Sequence, residues 1–390
     1  MLLSKVAPKL LAKSLRSFPQ GLVVITGSAG KSTTTKMVVA IARAHGLHVF
    51  TNPSTANIRQ GFFSAIIERS NLFGRIPGDI AILEMDEGHA ESITAEVAPR
   101  IVTLLNVLED QLDRFVDPAL VREKLAEVAD RATQTVLLNA DDQNILLIDK
   151  DKQLAEKQFF GIASNVLGES DLGVAPTYLS EIARPKVSAE VANLNGKRCT
   201  VHIAEREAIF DLPNRGLHYA LDAVAALSTA ASILGDQFDL ELAERVLNEL
   251  PPVFARGETV TINGQEVEFV LVQNPTSFQL NLDNLDLPVE RLMIAIGRDV
   301  HDPSWLWTVD FSKLNRVDVV SGFNCAEIAL RLAYENVEMD FVDEDLFVAI
   351  DKFLVLPAPV TGVKTVLFSA DAMRRLRRHL GFTSPDEVER

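Results

Sequence analysis

Cysteine is nearly missing from this chain. Only Cys199 and Cys325 occur in 390 residues, far apart and with no C-x-x-C pair. A disulfide framework and a cysteine-rich zinc site both need several thiols at close spacing, so neither is expected. Positive charge is also short: 38 lysines and arginines stand against 54 aspartates and glutamates, for a net charge of −16. That balance argues against a nucleic-acid partner, whose phosphates need a basic face. It suits a soluble, self-repelling cytoplasmic protein. No run of about 18 apolar residues is present, so no transmembrane helix is expected. No signal peptide is expected either, because Lys5, Lys9 and Lys13 interrupt any apolar core. With Arg16 they lie opposite Leu3, Val6, Leu10 and Leu11, as in an amphipathic helix that either packs on the first domain or touches a membrane surface. The run Arg374-Arg375-Leu376-Arg377-Arg378 reads as a solvated helix face.

What the chain does carry is a phosphate-loop signal. Val24-Ile25-Thr26-Gly27-Ser28-Ala29-Gly30-Lys31-Ser32-Thr33-Thr34-Thr35 reads as a buried strand, a glycine-rich turn and a helix. Such a turn aims backbone N–H groups and a helix N-terminus at an anion. Lys31 would reach the β- and γ-phosphates, and Ser32 or Thr33 would ligate Mg²⁺. Ile25 stands where the strict G-x-x-x-x-G-K-[ST] motif has its first glycine, so this is the shorter T-G-x-x-G-K-[ST] form. The ATP-binding candidates are Thr26, Gly27, Ser28, Ala29, Gly30, Lys31, Ser32 and Thr33, with Lys31 catalytic and Ser32 on the metal. The plainer alternative is a glycine-rich turn beside a solvated lysine.

The composition is 47% hydrophobic, enough for substantial cores, and the length points to two domains. Apolar strands at 22–26, 48–50, 79–84, 101–105 and 135–138 alternate with helical stretches, which predicts a parallel α/β sheet. Functional groups then belong at the carboxyl ends of the strands, where Glu84, Asn106 and Asn139 fall. Residues 162–213 read as a small β-rich insertion, and Pro251-Pro252 as a boundary. The domains expected are 1–252, with the insertion at 162–213, and 253–390, a Rossmann-like α/β unit. The second has strands near 258–262, 266–272, 292–296, 317–320 and 365–368.

Glu84 closes a buried strand and could hold Mg²⁺ directly or through water, while Asp86 and Glu87 read equally as solvated acids. Asp110 and Asp113 share a face if their segment is helical. Asn139, with Asp141 and Asp142, could take a nucleotide hydroxyl or base edge, or form an Asx turn and helix cap. Gly297-Arg298-Asp299-Val300-His301-Asp302-Pro303-Ser304-Trp305-Leu306-Trp307 holds both tryptophans beside two aspartates, and its composition suggests an interface.

These residues together resemble the MurT family, Mur-ligase-like subunits that amidate lipid II with the glutaminase GatD. The resemblance covers most of the chain. It rests on the loop at Thr26–Met37, Thr51-Asn52 with Asn57, Leu83-Glu84-x-Asp86-Glu87, Leu105-Asn106 with Asp110-Gln111-Leu112-Asp113-Arg114, and Leu138-Asn139-Ala140-Asp141-Asp142. Later come Arg256-Gly257-Glu258, Asn274-Pro275, and Asp302-x-Ser304-Trp305-Leu306-Trp307 with Val309-Asp310-Phe311. Gln111, where amino-acid-adding Mur ligases usually carry His, resembles the MurT pattern.

The resemblance implies a Mur-ligase-type central ATPase domain and a MurT-type C-terminal domain. It implies a ligase that uses MgATP to activate the D-glutamate α-carboxylate of the lipid II stem peptide, with a GatD-type glutaminase supplying ammonia. It places the chain in the cytoplasm, peripheral to the membrane that holds its substrate. It adds Asn139, Asp142 and Asp222 to the ATP contacts and Glu84 to the Mg²⁺ ligands. It lends a triad acid to the partner's Cys–His pair, mapped onto Asp302 with Asp299 as the fallback. Two other functions fit the same residues: a self-sufficient amino-acid ligase, separable by whether a glutaminase is needed, and a non-catalytic ATP-binding scaffold, separable by nucleotide binding.

The chain departs from the family pattern at four places. The usual four-cysteine zinc ribbon is reduced to Cys199. The usual adenine-side G-x-x-N-x-x-N reads Gly216-Leu217-His218-Tyr219-Ala220-Leu221-Asp222. Gln273 replaces a lysine, and Thr308 replaces an acid. Elemental analysis of purified protein should therefore find no stoichiometric zinc, since a structural site needs about four soft or imidazole ligands. About one zinc per chain, retained against mild chelation, would contradict this.

Overall fold

The computed structural model describes residues 10–52, 59–71, 74–107, 118–151, 154–167, 182–251, 256–272, 274–283, 285 and 289–382. It divides into two compact units, Met1–Pro251 and Pro252–Arg390. In the first unit the strands are β1 Leu22–Thr26, β2 Val49–Phe50, β3 Ile80–Glu84, β4 Ile101–Leu104, β5 Thr135–Asn139, β6 Glu156–Ile162, β7 Ala189–Asn195, β8 Arg198–Ile203 and β9 Arg206–Asp211. Its helices are α1 Leu10–Leu15, α2 Lys31–Ala44, α3 Arg59–Arg69, α4 Glu87–Thr94, α5 Pro118–Asp130, α6 Gln143–Asp151, α7 Leu217–Leu234 and α8 Leu240–Glu249.

Among the described residues one nine-stranded sheet runs in the order β2-β3-β1-β4-β5-β6-β7-β8-β9. Every residue of β1, β3, β4 and β5 is buried, as parallel strands covered on both faces require. Parallel pairing ends at β6–β7, and β7, β8 and β9 continue as an antiparallel meander. The segment read as an insertion at 162–213 therefore extends the main sheet. Phe160 pairs with Ala189, so the ladder passes into it without a break.

Helix α7 has the length and apolarity to cross a membrane, but most of it is buried inside the unit. Its Thr229 hydroxyl lies 2.8 Å from that of Thr103 in β4, which fixes it to the sheet. Helix α1 buries Leu11 and Leu15, and its Ser14 hydroxyl donates to the Gly74 carbonyl at 2.6 Å. For these residues the packing reading of the N-terminal segment holds.

The second unit has strands β10 Arg256–Ile262, β11 Gln265–Leu271, β12 Leu292–Ala295, β13 Arg316–Ser321, β14 Glu338–Asp343 and β15 Lys364–Phe368. Its helices are α9 Pro275–Asp283, α10 Cys325–Tyr334, α11 Leu346–Leu354 and α12 Ala370–His379. Their sheet has the order β10-β11-β15-β12-β13-β14, parallel except for the β10–β11 hairpin. Strand β14 escaped the sequence reading because it is an edge strand with alternating burial and acids at both ends. Phe278 is fully buried, 6.2 Å from Trp305 and 5.3 Å from Phe311 by ring centroid. Burying such a ring contributes about 1.5–3 kcal/mol. The basic run on α12 is only partly a solvated face: Arg374 and Arg378 are exposed, but Arg377 is buried and bonds Glu258 of β10 at 2.8 Å.

The turn after β5 is a knot of internal hydrogen bonds. Asn139 donates to the Leu105 carbonyl at 2.8 Å and accepts from Asp141 N–H at 2.9 Å. Asp142 accepts from Val107 N–H at 2.9 Å and from Ile145 N–H at 3.1 Å, at the start of α6. Asp141 accepts from Ile162 N–H and from Arg184 Nε at 2.7 Å, tying β6 to the segment leading into β7. Both polar ends of Asn139 and both oxygens of Asp142 are thus taken up by backbone groups. The geometry supports the turn-and-cap reading of these two residues.

Burial pushes the Asp142 carboxyl up from 3.8 to about 6, against the lowering effect of the backbone N–H groups it accepts from. Between about pH 4 and 6 the folded chain holds a proton there that the unfolded chain has released. The stability contributed by protonated Asp142 is therefore present below about pH 4 and lost as pH rises through about 6, up to about 3 kcal/mol at 1.36 kcal/mol per unit. Asp142→Asn should remove this slope. Urea midpoints at about pH 4.5 and 7.5 for parent and variant check it, and parallel profiles would show that Asp142 ionises normally.

Candidate functional site

Strand β1 delivers Thr26 to a turn that only glycine can make. Gly27 has φ +139°, and a Cβ there would lie 2.9 Å from the Asn106 backbone. Gly30 has φ +85° and precedes α2 with no side-chain cap. The loop is braced from the end of β4. Asn106 accepts from Ala29 N–H through Oδ1 at 2.8 Å, donates to the Ala29 carbonyl at 3.2 Å, and accepts from Ser28 N–H through its own carbonyl at 3.0 Å. Thr26 Oγ1 is buried at the strand end with no hydrogen-bond partner among the described residues. Ser32 and Thr33 begin α2 in buried positions. A glycine cradle at a helix N-terminus with hydroxyls at its start fits a polyphosphate with a hard cation.

Lys31 folds over this loop. Its ammonium donates to the carbonyls of Gly27 at 2.5 Å and Ser28 at 3.0 Å, and pairs with Glu87 at 3.2 Å. Glu87, 1% exposed, opens α4, and Asp86 caps that helix by accepting from Gly88 N–H at 3.0 Å. Both had read equally as solvated acids, yet both are buried. The signal for Glu87 was its place just past the end of β3, next to the strand that feeds the loop. Glu84, 2% exposed, is set by Asn52, whose amide accepts from Glu84 N–H at 3.1 Å and donates to its carbonyl at 3.2 Å. Asp222, which the family pattern placed on the adenine side, lies against the phosphate loop itself, accepting from the Thr34 hydroxyl at 3.3 Å. Neighbouring Tyr219 is buried against His218, their rings 4.3 Å apart.

In the second unit, candidate residues gather where β12 and β15 end. Gly297 N–H donates to Ser369 Oγ at 2.8 Å, and that hydroxyl donates to Asp299 at 2.6 Å. Asp302 is exposed and caps the short 3₁₀ helix Pro303–Thr308, accepting from Ser304 N–H at 2.9 Å. Hydrogen bonding from Ser304 holds its carboxyl below the usual range, so it is ionised at neutral pH. The two tryptophans divide. Trp305 packs on the core against Phe278, while Trp307 is 42% exposed, edge-on to Tyr334 and under the Arg331 guanidinium. Asn57, Asp110, Gln111, Asp113 and Gln273 lie outside the described residues.

Comparison with known proteins finds two family matches: the Mur ligase middle domain over residues 25–230 and the MurT ligase C-terminal domain over residues 271–363. Among curated relatives, the lipid II isoglutaminyl synthase (glutamine-hydrolyzing) subunit MurT of Streptococcus pneumoniae is 27% identical, covering 83% of this chain and 79% of its own length. Its namesake from Staphylococcus aureus strain COL is 23% identical over 92% of this chain and 87% of its own length. Among solved structures, the MurF ligase of Thermotoga maritima in complex with ADP superposes with a TM-score of 0.70 at 17% identity, over 97% of this chain and 82% of that one.

Proposed function

Because the chain belongs to the Mur ligase family, with MurT subunits among its relatives along most of its length, we propose that it is the ATP-dependent synthetase subunit of a glutamine-hydrolysing amidotransferase. In this reading it activates the α-carboxylate of D-glutamate in the lipid II stem peptide as an acyl phosphate. Ammonia from a GatD-type glutaminase then gives D-isoglutamine, in the cytoplasm at the membrane face.

The observation that carries the reading is Lys31 clasped over a braced glycine loop and paired with buried Glu87. Magnesium ATP, when bound, supplies the transferable phosphoryl group and a charge-neutralising cation. The α2 N-terminus would hold its phosphates, Ser32 and Glu84 would hold the cation, and Lys31 would follow the charge that develops on the transferring group. Asn106 and Asn52 keep this frame rigid, so little reorganisation is needed when the phosphoryl group moves.

In the second unit Asp302 suits the role of triad acid. It is exposed and ionised, on a turn anchored through Trp305, and exposed Trp307, edge-on to Tyr334, follows in the same segment as an aromatic that would anchor a partner. Asp299 is instead engaged by the Ser369 hydroxyl.

Lys31→Ala should abolish ATP-dependent amidation while the circular-dichroism spectrum stays unchanged, since its charge stabilises the transition state by about 3–4 kcal/mol or more. Near-parent turnover would remove Lys31 from the mechanism. Asp302→Asn should leave complex formation and ATP binding intact and slow glutamine hydrolysis by about 10²–10⁴-fold, with free ammonia restoring amidation. If Asp299→Asn alone stops the glutaminase, the triad acid is Asp299. If neither does, the chain contributes none.

A further inference from the structure

The second unit holds an apolar loop that the reaction above does not use. Between Lys352 and Lys364 the chain carries no charged residue. Helix α11 ends inside this stretch, and residues 355–363 join it to β15. Val355 is 81% exposed and Val360 91%, so both project into solvent, and Pro357 and Ala358 are exposed between them. The backbone beneath them is braced. Lys364, itself fully buried, donates to the carbonyls of Phe353, Leu354 and Leu356 at 3.1, 2.7 and 2.6 Å. Arg291 donates to the Pro357 carbonyl at 3.1 Å, and Glu290 accepts from the N–H groups of Val360 and Thr361 at 2.7 and 3.1 Å. A loop fixed by three charged side chains thus holds its aliphatic residues in water, where an apolar contact would be favourable.

The helix layer beside this loop is basic. On α11, exposed Lys352 stands between exposed Val348 and Val355. Helix α12 packs against α11, with His379 stacked on Phe347 at 4.5 Å and lying 3.3 Å from Asp351. It turns Arg374 and Arg378 outward, and Arg375 is partly exposed beside them. The acids of these two helices are matched, Asp351 by His379 and Asp371 by Arg375 at 4.0 Å. Among the described residues no ion pair engages Arg374 or Arg378. In a chain of net charge −16 this is a local reversal of sign.

We propose that loop 355–363 and the outer faces of α11 and α12 form a docking surface for an anionic lipid bilayer. Val355 and Val360 enter the headgroup region, and Arg374, Arg375 and Arg378 meet lipid phosphates. Projecting aliphatic side chains without Trp or Tyr suit a fluid surface, whereas the centre of a protein interface uses aromatic anchors seated in pockets. The loop precedes β15, and the Asp302 turn follows β12, which runs parallel to β15. The two therefore lie at opposite ends of this sheet, and lipid contact leaves the Asp302 turn free for a protein partner. The surface needs neither nucleotide nor glutaminase, so it stands apart from the reaction assigned above.

Co-sedimentation of the full chain with vesicles tests it, using phosphatidylcholine alone and phosphatidylcholine mixed with phosphatidylglycerol. The chain should bind the mixed vesicles, be released by added salt, and bind phosphatidylcholine far more weakly. No binding, or equal binding to both, would overturn the proposal. Arg374→Gln with Arg378→Gln should weaken binding to the mixed vesicles by about 25-fold, about fivefold for each arginine. Val355→Ser with Val360→Ser should weaken it by at least about tenfold. All four positions are exposed, so circular dichroism and the melting midpoint should stay at parent values. Parent-like binding by either pair would overturn the surface. Lys5→Gln with Lys9→Gln should bind like the parent. If that pair alone releases the chain, the lipid contact belongs to the N-terminal segment and the proposal fails.

Discussion

The first unit depends on one constraint: a glycine turn must be held in a fixed shape between a fully buried strand and a helix. Gly27 and Gly30 make the turn possible, because their positive φ angles and the close approach of Asn106 and Asp222 leave no room for a Cβ. They cannot make it rigid. Rigidity comes from Asn106, which engages both backbone groups of Ala29 and the N–H of Ser28 from just past the neighbouring strand, and from Lys31, which bonds the Gly27 and Ser28 carbonyls. The parallel order β3-β1-β4 is what brings these strand ends side by side.

Charge is the second theme of this unit. In a chain with a net charge of −16, acids would be expected at the surface. Here Glu84, Asp86, Glu87 and Asp222 are all buried, and Glu87 pairs with Lys31. Burying ionised groups is costly unless each is bonded or matched. Asp86 is matched by a helix N-terminus, Glu87 by Lys31, and Asp222 by a hydroxyl at the start of α2. Glu84, Asp86 and Glu87 thus sit at the carboxyl end of a buried parallel strand, a place that suits a polyanion arriving with its own divalent cation.

The second unit follows a different logic. Its strand-end loops are locked to one another by Ser369 and by Asn324, whose amide donates to the Gly297 and Val300 carbonyls at 3.0 and 2.9 Å. The Asp302 turn is anchored through Trp305 but leaves Trp307 in solvent. One aromatic residue fixes the turn and the other faces outward, a division that fits a surface used by a partner protein.

The sequence by itself determined the α/β class, the phosphate loop with Lys31 and Ser32, and the strand-end position of Glu84. Those follow from apolar runs and glycine spacing, which are local properties of the chain. It also carried the motifs that tie the chain to its relatives. Only the tertiary structure decided which strand-end polar groups work together. Asn106 became the brace of the loop, and Glu87 the partner of Lys31. Asn139 and Asp142 were turned inward by the backbone of a neighbouring strand, and Arg184 was recruited to Asp141 from 43 positions away. Asp222 met Gly30 across 192 residues (222 minus 30) because α7 packs along α2. Such pairings depend on strand order and helix packing, and no periodicity along the chain encodes which distant carboxylate will face which donor.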